Sequence, residues 1–513
     1  MTRLLLAVVL SLALSPARAE PLRIAVASEA TSLDPHFYDL TPNMEVARHI
    51  FSALTQLAPT GSLQGDLATS WQPVTPTTWQ VELRPGITFH NGAKLTPEDV
   101  AFSYERARNV PGSPSSFQWY LQDIQSVEIA GPTTLRLVTA KPAPLLMYAL
   151  RSVAIVSRAT AATATTADYD SGTATIGTGP YRFVSRTRGG PLVLARNDSW
   201  FGPRPEWETV TIRPIVNNGA RTAALLAGDV DLINFVPAGD IDTLRRRDTV
   251  SLSSIPGVRL YYLGLDVSRP VSPQATDAAG TPLPNNPLRD PRIRRAMSLA
   301  IDRAGLADRL LLGQAVPTLY PALTPAPAVP SADLAAARQL LADAGYKDGF
   351  SLTLTGPNDR YPFDAQVLQA VSQMWTRIGI RTRVDAIPSS VYFSRAAKHE
   401  FSATFSGSLS SRGEVLSQMQ RMLQTQDIAS GIGTGNWGRY SDPQTDALIT
   451  QAGTTIDDAA RTTLLRAAID RAVLEHQAII PLYFPVVTWA TRAGLAYRVR
   501  EDEYTLATEV IRK

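Results

Sequence analysis

Apolar positions along the chain alternate in some stretches and recur at helical spacing in others, and the two patterns take turns. Trp79, Val81 and Leu83 alternate with Gln80 and Glu82, the period of a half-buried strand. Pro85-Gly86 and Asn91-Gly92 then turn the chain twice. Thr96-Pro97 with Asp99 three residues on opens a helix through a near capping box. A hairpin follows, Ile124 to Ile129 and Leu135 to Val138 around Gly131-Pro132. Upstream, residues 21–27 read as a buried strand, Ser32 to His36 as a loop, and Asn43 to Leu54 as a helix with Val46, His49, Ile50 and Leu54 inward. Downstream, three strand-like runs lie between Tyr181 and Arg213, and a helix from Gly219 to Leu226 stops at Gly228. Residues 159–176 are rich in Ala and Thr and read as a loop.

The second half is more regular. Leu260 to Leu265 is a candidate strand crossing into a second lobe. Asp290-Pro291 opens a helix whose apolar face holds Ile293, Ala296, Met297, Ala300, Ile301 and Ala304. Asp333 to Ala344 is another helix, stopped by Gly345. Ser351–Thr355, Phe363–Ile378 and Ile380–Ile387 then read strand, helix, strand: a βαβ unit with a right-handed crossover. Ligands of open α/β sheets bind beyond the carboxyl ends of such strands, here the loop Gly356 to Tyr361. A strand at Phe401–Phe405, polar loops at 406–414 and 431–440, a helix from Ala459 to His476 and a return segment from Ile480 complete the pattern.

The first residues change the picture most. Arg3, an apolar run from Leu4 to Leu14 and Ala17-Arg18-Ala19 form a secretory signal with a cleavage pattern. The run is too short to span a bilayer. A mature, exported chain starting near Glu20 is expected, in the periplasm, since no cysteine follows the apolar run to carry a lipid. The absence of cysteine also excludes disulfides, thiolate metal sites and cysteine nucleophiles. Net charge is +3 and the basic residues are scattered, so a nucleic-acid partner is not expected. Five histidines stand alone, which favours core or capping roles over metal binding. No G-x-S-x-G elbow or phosphate loop occurs.

Several of these strings together are more specific than their secondary structure. LATSW, WQVELRPGITFHNG and LTPEDVAFS, with SLDPH near the start, GTGPY at 177–181 and RIRRAMSLAIDRAGL at 292–306, resemble the signature of the solute-binding proteins that serve peptide, opine and nickel ABC importers. The resemblance implies an α/β, two-lobed periplasmic-binding-protein fold of type II, with an extra β-rich subdomain in the first lobe. It implies a first lobe of residues 20–258 with an insertion at about 50–175, a second lobe of 259–485, and a return segment of 486–513 to the first. It implies a monomer that takes a peptide or peptide-like solute between its lobes and delivers it to an inner-membrane permease with its ATPase subunits. No enzyme activity and no cofactor are expected.

Arg360 is the leading site residue, because its position matches the arginine that pairs with the peptide carboxylate in dipeptide-binding relatives. Leu33 lies in the SLDP loop, which flanks the ligand in relatives. Those relatives hold the peptide's ammonium with an aspartate near the position of Ser411. A hydroxyl there forfeits a charge-assisted bond of roughly 1.5–3 kcal/mol. Either Glu414 substitutes or the ligand lacks a cationic amine, and Arg412 would suit a second anionic group. Trp119 and Trp437 are candidate walls, with core packing as the alternative. An opine, sugar-phosphate or metal-chelate ligand, or a periplasmic hydrolase, are the competing readings.

Overall fold

The computed structural model describes residues 21–322, 327–409, 414–427 and 430–513. The expected signal segment, Ser411 and Arg412 lie outside these. The opening strand, Leu22–Val26, runs parallel between Thr209–Pro214 and Leu232–Ile233. Leu192–Arg196 and Tyr181–Arg186 extend this sheet antiparallel at one edge. Its core gathers Leu22, Ile24, Leu194, Trp207, Val210 and Trp489. Residues from the far end of the chain seal it: the Trp207 indole donates to the Val510 carbonyl at 2.9 Å, and His49 Nε2 accepts from the Ala507 amide at 3.0 Å.

A second sheet is built around Phe350–Pro357, parallel to Ile380–Ile387 with the helix Asp364–Thr376 between them in sequence. Ala403–Leu409 pairs parallel to Phe350–Pro357, and Arg259–Leu265 pairs antiparallel to Ala403–Leu409. Phe350–Pro357 and Ala403–Leu409 alternate apolar residues with Ser and Thr, yet they are buried along nearly their whole length because both faces are covered.

One strand belongs to both sheets. Ile479–Arg492 is 14 residues long. Its first part pairs with Arg259–Leu265, and its second, from Val486, pairs with Val250–Pro256 and Leu232–Ile233. The lobes are therefore joined by two adjacent antiparallel crossings, one at Gly257-Val258 and one near Pro485. Gly257 donates to the Pro485 carbonyl at 2.6 Å, and Val258 to Glu503 Oε1 at 3.0 Å. A Cβ on Gly257 would lie 2.5 Å from that carboxylate oxygen, so this crossing tolerates only glycine without a shift.

A separate four-stranded antiparallel sheet, Ala68–Thr75, Thr78–Leu83, Thr134–Thr139 and Ile124–Ile129, packs against the helix Pro97–Arg108. Thr96 and Asp99 close the capping box at that helix's start. This β-rich subdomain also touches the second lobe. Leu145 is buried among Leu260, Leu416 and Met419, and Ile456 packs back against the subdomain core.

Some elements differ from the sequence pattern. The helix begun at Pro291 ends at Leu299, because Asp302 caps a new turn through the Gly305 amide and the buried Arg303 guanidinium takes the Ser298 and Pro481 carbonyls. Residues 159–176 hold two short helices, Arg158–Ala161 and Thr166–Asp170, the second with a Thr165–Asp168 capping box. The helix expected over 459–476 is α-helical only through Ile469, after which it widens into a π turn.

The loop Ser32 to His36 is a buried clasp. Asp34 takes both Arg106 guanidinium nitrogens, at 2.8 and 2.7 Å, and the Thr166 hydroxyl at 2.9 Å. Burial raises the Asp34 carboxyl, but Arg106 and His36 outweigh it and hold the group below the ordinary carboxylate range. His36, His49 and His90 are each pushed down to about 4, burial being the largest cause in every case. An unfolded histidine titrates near 6.5. Below that value the unfolded chain takes up protons that the folded first lobe refuses, so stability falls as pH drops from about 6.5 toward 4. Denaturant midpoints measured across this window are expected to fall steadily, each histidine contributing up to about 1.4 kcal/mol per pH unit. The buried Glu45 and Asp66 carboxyls, pushed up to about 8 and about 6, slope the other way in this window, so the burial of the rings is contradicted if replacing the three histidines by glutamine leaves the profile unchanged.

Candidate functional site

Between the lobes lies a cavity of about 1210 Å³. Its floor is the crossing region, with Arg259, Tyr261, Tyr483 and Phe484. Asp39, Glu45, Tyr120, Arg151 and Glu501 to Tyr504 come from the first-lobe side, and Arg360 to Phe363, Glu414 and Gln418 from the second. Tyr261 organises the floor: its ring lies 5.0 Å from both Tyr361 and Tyr483 and stacks on Phe405 at 5.9 Å. Small-molecule sites favour such interfaces, where few polar groups stand among aromatic walls.

Arg360 sits where the βαβ loop meets this cavity. Asp364 turns the loop by accepting from the Arg360 amide at 3.0 Å, the Tyr361 amide at 3.1 Å and the Ala365 amide at 2.8 Å. Phe363 adopts a left-handed φ of 58° to make that turn, and the Tyr361 hydroxyl accepts from the Gly407 amide at 3.0 Å. The loop backbone is thus fixed, while the Arg360 guanidinium lies 5.7 Å from the Tyr361 ring centre and has no carboxylate partner among the described residues.

The other sequence candidates are placed differently. Glu414 lines the cavity, but its carboxylate caps the helix Val415–Met422 through the Leu416 and Ser417 amides at 2.5 and 3.0 Å. Leu33 is packed in the first-lobe core. Trp437 packs against second-lobe core residues rather than the cavity wall, and Trp119 is exposed on a short helix whose neighbour Tyr120 reaches the cavity instead.

Sequence reasoning missed Asp39, Arg151, Arg259 and the Glu501-Asp502-Glu503 run. The acidic run was visible as charge, but only the return of the chain's end to the first lobe brings it to the cleft. Most of these acids are already engaged. Asp502 pairs with Arg500 at 2.5 Å, Glu503 accepts from Val258, and Glu45 accepts from the Thr505 amide at 2.7 Å. Burial pushes the Glu45 carboxyl up to about 8, with the Thr505 bond opposing and the Asp502 charge adding. Asp39 is also raised by burial, offset in part by the Tyr120 hydroxyl and the Arg151 charge.

The cations divide sharply. Arg221 spends its guanidinium on the carbonyls of Asn234, Ile215 and Phe235. Arg151, Arg259 and Arg360 have no hydrogen bond or ion pair to their guanidinium groups among the described residues, and Arg151 Nε is buried without a partner. Arg151 is buried, Arg259 half-buried and Arg360 exposed, and cations without a protein counter-charge suit carboxylate recognition. Among the described residues no group of three His, Asp or Glu side chains could hold a metal ion.

Two lobes joined by a pair of crossing strands, with a cavity between them, define a periplasmic-binding-protein architecture. The profile of the bacterial extracellular solute-binding proteins, family 5 (middle region), matches residues 62–430, and the chain belongs to this family, the solute-capturing component of ABC importers. It is 26% identical over 470 residues to the glutathione-binding protein GsiB of Pectobacterium atrosepticum, covering 87% of this chain and 85% of that one. It is 26% identical over 474 residues to GsiB of Escherichia coli K12, covering 90% and 88%. Among solved structures it superposes on the unliganded open form of the periplasmic murein tripeptide binding protein MppA with a TM-score of 0.82 at 22% identity, covering 97% of this chain and 98% of that one. On DppA from Helicobacter pylori in complex with the peptide STSA the score is 0.73 at 21% identity, covering 96% and 98%.

The Glu45 shift gives a test of the cavity's first-lobe wall. An unfolded glutamate ionises near 4.3, so between about 4.3 and 8 the folded state holds a proton that the unfolded state has lost, and stability declines as pH rises. Glu45→Gln is expected to melt above the wild type, with a gap that widens up to about pH 8. A gap independent of pH would show that Glu45 is ionised in the folded protein.

Proposed function

We propose that this protein captures a small peptide or peptide-like solute between its lobes and releases it unaltered to a membrane permease. The observation that carries this reading is the cavity walled by both lobes. Arg360 and Arg259, without ion-pair partners among the described residues, line it from the second-lobe side, and Asp39 and Glu45 line it from the first. A zwitterionic chain bridging that gap makes both sets of contacts only when the lobes close, so binding shifts the open–closed population. Relatives named for glutathione binding support a peptide over the other ligand classes of the family. The higher superposition score with an open, unliganded form than with a peptide complex supports an open starting state.

In this reading the chain is cleaved near Ala19, works in the periplasm as a monomer and performs no covalent chemistry. The first lobe comprises residues 20–258 and 486–513, and the second comprises 259–485. The two crossing strands support that division. Arg360 takes a ligand carboxylate, and Arg259 at the floor assists it.

Small-angle scattering is expected to show a smaller radius of gyration when a bound di- or tripeptide is added, and mass spectrometry is expected to recover the peptide unchanged. Arg360→Ala is expected to weaken a carboxylate-bearing peptide at least tenfold, about 1.4 kcal/mol by calorimetry. An unaltered shape with every peptide tried, a processed peptide, or an unchanged affinity for Arg360→Ala would each count against the corresponding part of the proposal.

A further inference from the structure

The cleft collects backbone that is left-handed without being glycine. Among the described residues seven non-glycine positions have a positive φ, and three of them, Phe235, Phe363 and Glu503, line the cavity. Glu503 has a visible reason, since its carboxylate takes the Val258 amide at 3.0 Å and holds the crossing. Phe235, at φ 46°, and Phe363, at φ 58°, have no polar side-chain group to put to such a use. A left-handed backbone is sterically costly for a bulky side chain and persists only where its surroundings over-determine it.

In each lobe a buried charge does so. The Arg221 guanidinium donates to the Asn234 and Phe235 carbonyls at 3.2 and 3.0 Å and to the Ile215 carbonyl at 2.8 Å, with no ion pair among the described residues. The Val236 amide donates to the Thr488 carbonyl at 2.9 Å and fixes the other side of Phe235. In the second lobe the buried Asp364 carboxylate takes the Arg360, Tyr361 and Ala365 amides and so turns the chain through Phe363. One charged side chain per lobe is thus withdrawn from the solute to fix the backbone that carries a phenylalanine.

Neither ring is wholly core. Phe235 is 39% exposed, and Phe363 is half-buried at the margin of the second-lobe core. Val236, Pro237, Leu311 and Pro362 line the cavity with them. The Val486 amide donates to the Gln314 carbonyl at 2.9 Å, two residues from Thr488 on the same edge of Ile479–Arg492. The turn after Leu311 and the Phe235 loop therefore approach one edge of the joint strand from opposite lobes, and apolar wall is supplied from both. Rigidly held apolar surface contributes to binding once water leaves it, with little ordering cost at that moment.

We infer that Phe235 and Phe363 are specificity-determining residues that grip an apolar side chain of the captured solute, one ring from each lobe. The inference rests on the peptide reading of the cleft and narrows it to peptides with a bulky apolar residue, because a small side chain leaves the rings wet and a charged one is desolvated against them. The rival occupant is the rings themselves: packed on each other in the closed state, they would favour closure whatever the solute.

The probes are trialanine and the three tripeptides in which one alanine in turn is replaced by phenylalanine, measured by calorimetry on the purified protein. At least one of the three is expected to bind at least tenfold more tightly than trialanine. Asparagine tolerates the left-handed region and also suits the helix start at position 363. Phe235→Asn and Phe363→Asn are each expected to cut the preference at least fivefold while changing trialanine affinity less than twofold, and Phe235→Tyr, which keeps a ring, is expected to retain it. No preference in the wild type, or one that survives both asparagine variants, overturns the inference and leaves the peptide reading standing. An equal loss for all four peptides shows the rings packing on each other and overturns it too. Should Phe235→Asn not fold, Phe363→Asn decides. If none of the four peptides binds the wild type, the peptide reading fails and this inference with it.

Discussion

Backbone hydrogen bonds along Ile479–Arg492 are the constraint from which the rest of the molecule follows. Because the two ends of one strand are committed to different sheets, the lobes share a ladder rather than a flexible linker. The partner crossing at Gly257-Val258 runs beside it, so relative motion is confined to a change of twist over a few residues. A cavity that opens and closes without losing register is the natural product of that joint. Tyr261 and Tyr483, which project from the same crossings, form the cavity floor.

The chemistry of the cleft is set by which charges the fold has already spent. Arg221, Asp502, Glu503 and Glu414 face the cavity, and each is committed to backbone or side-chain partners that hold an element in place. What is left for a solute is the remainder: three arginines without partners among the described residues and the Asp39 carboxylate, whose burial raises it above the ordinary range. Inspection of sequence cannot make this subtraction, because a free arginine and a committed one look the same in a string of letters.

Legibility in the sequence followed the same division. Alternation and capping signals placed Thr78–Leu83, the helix from Pro97 and the βαβ unit at 350–387, since local propensity and tertiary burial agree there. The apolar face from Ile293 to Ala304 promised one helix, but Asp302 and the buried Arg303 interrupt it, a competition between capping and periodicity that the apolar pattern does not register. Arg360 was reachable because it follows a recognisable strand. Arg151 and Asp39 were not, since they reach the same cavity only through tertiary packing.

The first lobe takes its opening strand from the beginning of the chain, further strands from the first half and from Ile479–Arg492, and closing contacts from the last ten residues, with Trp207 waiting for Val510 and His49 for Ala507. Sequence separation on this scale delays productive folding, because the loop-closure entropy is met before the contacts return anything. The N-terminal lobe therefore has no complete interior while the ribosome is still adding residues. Synthesis finishes before this part of the molecule can settle, and the chain stays slack for as long as a translocation channel would require it.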